Sequence, residues 1–490
     1  MGRQRVVVIG AGMGGLSAAL ELARRGLAVT VLESQASVGG KMRRVAVEGL
    51  EIDSGPTVLT MRWVFEALFK AAGTALASEV RLLTSERVGR HRFADGSTLD
   101  LWTDLERSTA AIAAFAGPAE AEAFRRFARR TQEIYQTVRE PFLLSERPTP
   151  LSLAKRFGLS AISRLQAIEG AKKLWPMLES SFKDPRLRQL FGRYATYVGS
   201  SPFRTPATMS LIAHVESEGV WFVEGGMRAL AESVWRVAAG HGAELHLSAA
   251  VQEIELRGGR VSAVRTQDGR RFPAEVVVFN GAAEALSQGL LGVGVRGSGP
   301  PLREPSLSAI TWSTRARVRG LPLVRHNVIF SADSRAEFQA LAEGRAPEDP
   351  TIYVCAQDRG DADQPGAERE RLLILMNAPA DPQRFDQEEV QRCQVKMVER
   401  LERSGLILED PSWIITGPSD FARLYPGSGG ALYGMAAHGT WSAFQRPAQR
   451  TETPGLYLAG GTTHPGPGVP MAALSGMTTA RLIAEDLPST

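Results

Sequence analysis

The run Arg5-Val6-Val7-Val8-Ile9 passes directly into Gly10-Ala11-Gly12-Met13-Gly14-Gly15 and then Leu16-Ser17-Ala18-Ala19. A short apolar strand that turns on glycines into a helix is the opening of a βαβ unit whose turn receives a dinucleotide. Gly10 permits the tight turn, Gly12 lets the backbone approach a pyrophosphate, and Gly15 lets the helix lie close on the strand. Phosphates then face the helix N-terminus, where unpaired N–H groups and the helix dipole favour negative charge. The helix is expected over residues 16–25, stopping at Gly26. A second strand over 28–32 ends on Glu33, where an acid pairs with a ribose 2′-hydroxyl and repels a 2′-phosphate. Up to this point the motif fits FAD and NAD alike.

A chain of 490 residues is long enough for about three domain-sized units. Hydrophobic content of 43% and charged content of 22% describe a globular protein. The net charge of +4 comes from arginines scattered among acids with no basic tail, which argues against nucleic acid and suits, mildly, an anionic membrane surface. Cys355 and Cys393 lie far apart without CxxC or metal-ligand spacing, so reduced thiols, no metal site and a cytoplasmic setting are expected. Arg3 and Arg5 before an apolar run imitate a signal peptide, but Gly10, Gly12, Gly14 and Gly15 interrupt that run and the dinucleotide motif explains it better. No apolar stretch approaches the roughly 20 residues that span a bilayer, and Met1-Gly2 lacks the Ser or Thr that myristoylation requires four positions on. Membrane contact is therefore expected to be peripheral.

Beyond Glu33, the Gly39-Gly40-Lys41 and Asp53-Ser54-Gly55-Pro56-Thr57 segments place backbone against a flat or phosphorylated group, or form surface turns. Residues 91–101 read as a hairpin with Asp95-Gly96 at its turn. From about Leu105 to Tyr197 the spacing becomes helical, as in Phe124, Phe127, Ile134 and Val138. Within this layer, 151–159 and 171–178 mix basic residues with Trp, Phe and Leu, a composition suited to a membrane interface or to an ordinary helix pair. Glu224-Gly225-Gly226-Met227 launches a further helix. A strand over 243–254, a Gly258-Gly259 turn and a buried strand over 274–279 ending at Asn280-Gly281 follow. Residues 290–411 read as mixed α/β, with a solvated acidic loop around 358–370. No repeat of fixed period is present.

Residues 455–471 form a last strand and a Gly/Pro-rich loop, Gly460-Gly461-Thr462-Thr463-His464-Pro465-Gly466-Pro467-Gly468, before a helix over 472–487. A helix N-terminus aimed at a ligand stabilises the negative charge that a reduced flavin gathers at its N1–C2=O edge. This terminal segment selects FAD over a nicotinamide cofactor.

Together these segments resemble the bacterial and fungal phytoene desaturase family of FAD-dependent carotenoid desaturases, itself akin to flavin amine oxidases, over nearly the whole chain. Thr462 and Pro467 stand where that family carries small residues. Gly427-Ser428-Gly429-Gly430-Ala431-Leu432-Tyr433-Gly434 and Gly468-Val469-Pro470-Met471-Ala472 are most similar to the hydroxycarotenoid 3,4-desaturase branch.

The resemblance implies an α/β architecture with three parts. These are a discontinuous Rossmann-like FAD-binding domain (1–75, 220–289 and 412–490), a mixed-sheet substrate domain (76–104 and 290–411) and a helical lid (105–219) that meets the inner face of the cell membrane near 151–182. It places Gly10, Gly12, Gly15, Glu33, Gly40, Lys41 and Gly55 on FAD, Val251 at the adenine through its backbone, and Gly461, Val469, Pro470 and Met471 near the isoalloxazine. It also implies a carotenoid substrate, hydride transfer to the flavin, loss of a proton from the neighbouring carbon, and reoxidation by a membrane quinone or oxygen. His464, Glu224 and Tyr433 are the candidate proton acceptors. Phytoene desaturation in one or more steps, flavin-dependent cis-trans isomerisation of a carotenoid, and a non-catalytic carotenoid carrier are the alternatives. So is amine oxidation, for which Trp441 and Tyr457 would form a flavin cage.

Overall fold

Val6, Val7 and Val8 are all buried, at 1%, 2% and 0% exposure, because the strand they form is covered on both faces, the condition under which a strand reads as one apolar run. The computed structural model describes residues 3–157, 168, 170, 172–301, 303–360 and 367–487. Arg5–Ile9 sits at the centre of a five-stranded sheet in the order Leu456–Leu458, Val276–Phe279, Arg5–Ile9, Ala28–Leu32, Glu244–His246, parallel throughout. Helices Met13–Ala23, Met227–Gly240 and Val469–Asp486 pack together against this sheet. On its other face lies an antiparallel meander of Val251–Arg257, Arg260–Thr266 and Arg271–Pro273. Ile254, Val261 and Val264 of the meander share an apolar cluster with Val7, Ile9, Val277 and Phe279. Its first turn is Gly258-Gly259 with φ of 59° and 78°, as a two-residue hairpin requires.

The strand expected over 243–254 is two strands. Glu244–His246 pairs with Ala28–Leu32, Ser248 takes φ 51°, and Val251–Arg257 continues in the meander; one extended strand could not serve both layers. The first helix begins at Met13 rather than at 16, since the Gly12 carbonyl already accepts the Leu16 amide at 2.9 Å. The last begins at Val469 rather than at 472, with Pro470 in the first turn, where a missing N–H costs nothing.

A second, seven-stranded sheet has the order Leu406–Thr416, Ser308–Gly320, Glu370–Ala378, Ile352–Ala356, His326–Ile329, Arg87–Arg92, Thr98–Trp102. Only the His326–Ile329/Arg87–Arg92 pair is parallel. Ile414, Ile415 and Thr416 stay paired with Ser313, Trp312 and Thr311, so this sheet runs past the domain boundary expected at 411/412. Side chains alternate between its faces. Ile329, Ile352 and Val354 pack with Val390, Cys393 and Met397 of helix Gln387–Arg403, whereas Val328 and Tyr353 face the helical layer.

That layer includes Leu105–Ala116, Pro118–Val138, Pro150–Phe157, Leu174–Ser181, Pro185–Gly192 and Leu211–Ser217. Phe124 stacks on Phe191 and Phe127 packs tilted against it, with ring centroids 5.7 Å and 4.7 Å away, in one cluster with Phe93 and Phe330 just past the ends of strands Arg87–Arg92 and His326–Ile329. Of the two basic-aromatic stretches, 171–178 turns Leu174, Met177 and Leu178 into this core, while 151–159 exposes Leu151 and Lys155 and buries Leu153; residues 158 and 159 lie outside the described residues.

The acidic loop differs from expectation at its end. Glu370 is buried in a bidentate pair with Arg359, both contacts 2.6 Å, because it begins an inner strand of the seven-stranded sheet. Residues 361–366 lie outside the described residues. No described helix is long and apolar enough to cross a membrane, and among the described residues no cluster of His, Cys, Asp or Glu could hold a metal ion.

Candidate active site

The N-terminal turn is packed so closely that side chains are excluded. A Cβ on Gly15 would stand 2.1 Å from the Gly10 carbonyl oxygen, and one on Gly14 would stand 2.6 Å from Asn280 Oδ1 and 2.7 Å from the Gly460 Cα. Gly10 has φ +98°, a conformation that glycine adopts without steric cost. Asn280 donates its side-chain amide to the Gly10 carbonyl at 3.1 Å, tying the end of strand Val276–Phe279 to the first turn. Gly12 pairs with Gly39, and a Cβ on Gly40 would stand 3.1 Å from the Gly12 Cα. A Cβ on Gly55 would stand 1.9 Å from the Lys41 carbonyl oxygen. Gly12, Gly40, Lys41 and Gly55 thus form continuous backbone contacts.

Glu33 is 5% exposed and its carboxylate accepts the Ala11 amide at 2.7 Å, the Gln35 amide at 2.8 Å and the Ser34 hydroxyl at 3.1 Å. The Ala249 amide donates to the Glu33 carbonyl at 2.8 Å, which brings the chain leading to Val251 to this edge of the parallel sheet. The helices starting at Met13 and Val469 have glycine N-caps, Gly12 and Gly468, without side-chain capping. Their first amides are left for a ligand, as a pyrophosphate and the carbonyl edge of a flavin require. Side-chain-free walls, two such helix starts and a buried carboxylate fit FAD.

Next to this cradle lies a cavity of about 440 Å³. Gly55, Val469, Pro470 and Met471 line it, and so do Val138, Phe142, Leu153, Ile168, Leu211 and Phe444 of the helical layer and the segment before the last strand. Its walls are mostly apolar, with several polar side chains set among them. The Thr57 hydroxyl is 2.7 Å from the Tyr353 hydroxyl, which is 2.6 Å from His326 Nδ1. Arg193 donates to the Tyr197 hydroxyl at 3.2 Å, and the Tyr194 hydroxyl donates to Glu216 at 2.7 Å. Burial, assisted by Arg325 and Arg193, pushes the His326 pKa down to about 3. Burial also raises the Glu216 carboxyl.

The three candidate proton acceptors fall in different places. Glu224 is exposed and paired with Arg81 at 3.1 Å, away from the cavity lining. His464 is fully buried, and its Nε2 donates to the carbonyls of Phe142 at 2.8 Å and Ser145 at 3.2 Å. Burial pushes its pKa down to about 4, so it braces the C-terminal loop against the helical layer as a neutral ring. Tyr433 lines the cavity, and burial raises its pKa. Its carbonyl accepts Arg446 at 3.0 Å, and Arg446 also reaches the Gly461 carbonyl at 3.4 Å.

Lys41 donates to the Leu432 carbonyl, and burial lowers its pKa to about 8. Thr462, which departs from the desaturase pattern, accepts the Ala283 amide and donates to the Gly281 carbonyl, both 3.2 Å. Trp441 is 57% exposed and the Tyr457 hydroxyl is bound to Asp486 at 2.8 Å, so neither forms an aromatic cage in the cavity. Sequence reasoning passed over Asn280, Arg193, His326 and Tyr353 as site residues. Each is a single polar residue with no motif around it; packing of separate elements brings Asn280 to the glycine turn and Arg193, His326 and Tyr353 to the cavity.

Residues 13–484 match the model of the flavin containing amine oxidoreductases. A hydroxyneurosporene desaturase from Rubrivivax gelatinosus is 45% identical over 99% of this chain and 94% of its own length. A 4,4'-diapolycopene oxygenase from a Methylomonas species is 32% identical over 99% of both chains. Putrescine oxidase with bound putrescine shares the fold, with a TM-score of 0.62 at 15% identity and 99% of each chain covered. The chain therefore belongs to the flavin-containing amine oxidoreductase family and is an FAD-dependent oxidoreductase, whose cofactor the glycine cradle, the buried Glu33 and the uncapped helix starts fit.

Proposed function

We propose that this protein is an FAD-dependent carotenoid desaturase that introduces a C=C bond at the 3,4 position of a 1-hydroxycarotenoid. The observation that carries the reading is the mostly apolar cavity shared by Gly55 and Val469–Met471 on one hand and the helical layer on the other. The match to hydroxyneurosporene desaturases over nearly the whole chain supports it.

Bound FAD supplies the hydride acceptor. The chain's own residues bind and orient. Gly10, Gly12, Gly15, Gly40, Lys41 and Gly55 hold the cofactor with Glu33 on the ribose, Val251 lies at the adenine, and Gly461, Val469, Pro470 and Met471 lie at the ring system. Val138, Leu153, Leu211 and Phe444 exclude water from the polyene, which itself delocalises the positive charge left by hydride loss. Tyr433 keeps its proton on Oη, since burial raises its pKa, so it serves as a hydrogen-bond donor rather than as the proton acceptor.

The substrate is confined to lipid, so we place the helical layer near 151–182 against the inner face of the cell membrane, and a membrane quinone or oxygen as the electron acceptor. The exposed Leu151, Lys155 and Arg156 over a buried, cavity-lining Leu153 support this placement. Charge reversal at Lys155, Lys172 and Lys173 is expected to weaken binding to anionic liposomes; unchanged binding overturns the membrane assignment.

The activity is tested by pigment chromatography after anaerobic incubation of FAD-loaded protein in liposomes with a quinone and either phytoene or 1-hydroxyneurosporene. Product from only the hydroxylated carotenoid is expected. Product from phytoene would return the protein to general phytoene desaturation.

A further inference from the structure

Arg193 is an expensive residue for a cavity that holds only hydrocarbon. A guanidinium carries five N–H donors and stays charged, and a buried charge without partners is strongly unfavourable. Among the described residues its one side-chain hydrogen bond is to the Tyr197 hydroxyl at 3.2 Å, and no carboxylate forms an ion pair with it. Glu216, which acts on it electrostatically, accepts instead from Tyr194. The Arg193 charge also lies over the rings of Tyr197 and Tyr353, 5.3 Å and 5.5 Å from their centroids. Arg193 lines the cavity, so its remaining donors border the space a ligand would fill. Tyr433 lines the same cavity, and its hydroxyl has no protein partner among the described residues. The Arg193 charge acts on Tyr433 electrostatically, and the Tyr433 ring packs on Gly199, six residues further along the chain, where a Cβ would stand 2.4 Å from Tyr433 Cδ2.

We infer that Arg193, with Tyr433 beside it, is an oxygen-binding subsite that takes the hydroxyl end of the carotenoid and selects hydroxylated over unhydroxylated ends. Arg193 donates to the substrate oxygen, and Tyr433 Oη exchanges the second hydrogen bond with it. The location suits the chemistry. Tyr353, under the Arg193 charge, is hydrogen-bonded to Thr57, two residues from Gly55 on the cofactor side of the cavity. In a 1-hydroxycarotenoid the oxygen-bearing carbon is two bonds from C3, so a group that binds the oxygen must lie beside the bond to be desaturated. The inference rests on the proposed hydroxycarotenoid substrate. A site built to hydrogen-bond a substrate hydroxyl discriminates strongly against the analogue lacking it, because its own polar groups are then left unpaired.

The test compares kcat/KM for 1-hydroxyneurosporene and neurosporene, per bound flavin, in wild type, Arg193→Met, Arg193→Lys and Tyr433→Phe. The ratio of hydroxylated to unhydroxylated kcat/KM is expected to fall roughly 100-fold or more in Arg193→Met and about tenfold in Tyr433→Phe, with KM for the hydroxylated substrate carrying much of the change. Partial recovery of the ratio is expected in Arg193→Lys. Should Arg193→Met lose its flavin, the ratios of the other two variants decide. A wild type that prefers the hydroxylated carotenoid, with variants that lose activity equally on both substrates, overturns the subsite alone. A wild type that converts neurosporene but not its hydroxylated form overturns the substrate reading and the subsite with it.

Discussion

The Asp53 carboxylate accepts the Met227 amide at 2.9 Å across 174 residues of chain. Two segments read separately in the sequence, 53–57 and 224–227, are thus the two halves of one joint. Gly226 is the N-cap of helix Met227–Gly240 and offers no side chain, so Asp53 supplies the cap from another element. A Cβ on Gly226 would stand 2.5 Å from the Asp53 carboxylate. Gln357 clamps the backbone of Asp53 from the seven-stranded sheet side, accepting its amide at 3.0 Å and donating to its carbonyl at 2.8 Å.

Replacing Asp53 with Ala removes this cap. The expected cost is about 0.5 to 2 kcal/mol, read as a lowered thermal midpoint, together with looser flavin retention because Gly55 follows two residues on. Asp53→Asn, which keeps an acceptor oxygen, should recover most of the stability.

Backbone contact makes some glycines irreplaceable and leaves others free. Gly15→Ala drives a Cβ to 2.1 Å from the Gly10 carbonyl oxygen, and Gly476→Ala does the same against the Gly14 carbonyl oxygen at 2.1 Å. Both variants should be isolated without flavin or fail to fold. Gly240, at the end of helix Met227–Gly240 with nothing within 4 Å of its Cβ position, should accept Ala with a gain of up to about 1 kcal/mol. Thermal melts and absorbance of bound flavin distinguish the two groups.

Glu33→Arg places a cation where the Ala11 amide now donates to a carboxylate. The expected result is a colourless protein. Full retention of flavin would contradict the assignment of Glu33 to the ribose.

Acid should destabilise the protein through three buried histidines. Burial holds the pKa of His91 at about 4, His326 at about 3 and His464 at about 4, against about 6.5 in an unfolded chain. The unfolded state therefore binds more protons below neutrality, and stability rises with pH across this window. The contribution is complete above the unfolded value and is lost as pH falls from about 6.5 towards the folded values. Urea unfolding at stepped pH should show this decline, with a shallower slope in a His464→Asn variant that still unfolds cooperatively.

The buried Arg359–Glu370 pair should behave asymmetrically. Glu370→Ala strands a buried guanidinium and is expected to cost about 3 to 5 kcal/mol, while the double replacement of both residues by Met costs far less. A double-mutant cycle measured by denaturant unfolding checks this.

The parts of the fold that repeat a local rule were legible in the residues. The Val6–Val8 run could only be a covered strand, Gly10 to Gly15 could only be a close turn, and Gly258-Gly259 could only close a hairpin, because backbone sterics act over a few neighbours. The same locality explains the misread elements. The break at Ser248 exists because the chain must pass from the parallel sheet to the meander on its far face, and Glu370 is buried because its strand lies inside the seven-stranded sheet. Neither demand is visible along the chain.

The cofactor cradle is largely a local signal, and so Gly10, Gly12, Gly15 and Glu33 stood out in the sequence by themselves. The cavity is not. Thr57, Arg193, His326, Tyr353 and Tyr433 come from five separate places in the chain, and their distances are set by how the helical layer, the seven-stranded sheet and the loops carrying Thr57 and Tyr433 pack. Sequence alone thus pointed to a bound dinucleotide, with the Gly460–Gly468 loop selecting flavin, since that chemistry is written in backbone geometry. Only the tertiary structure decided what faces the space beside it, since a polar group in an apolar cavity is the product of long-range packing.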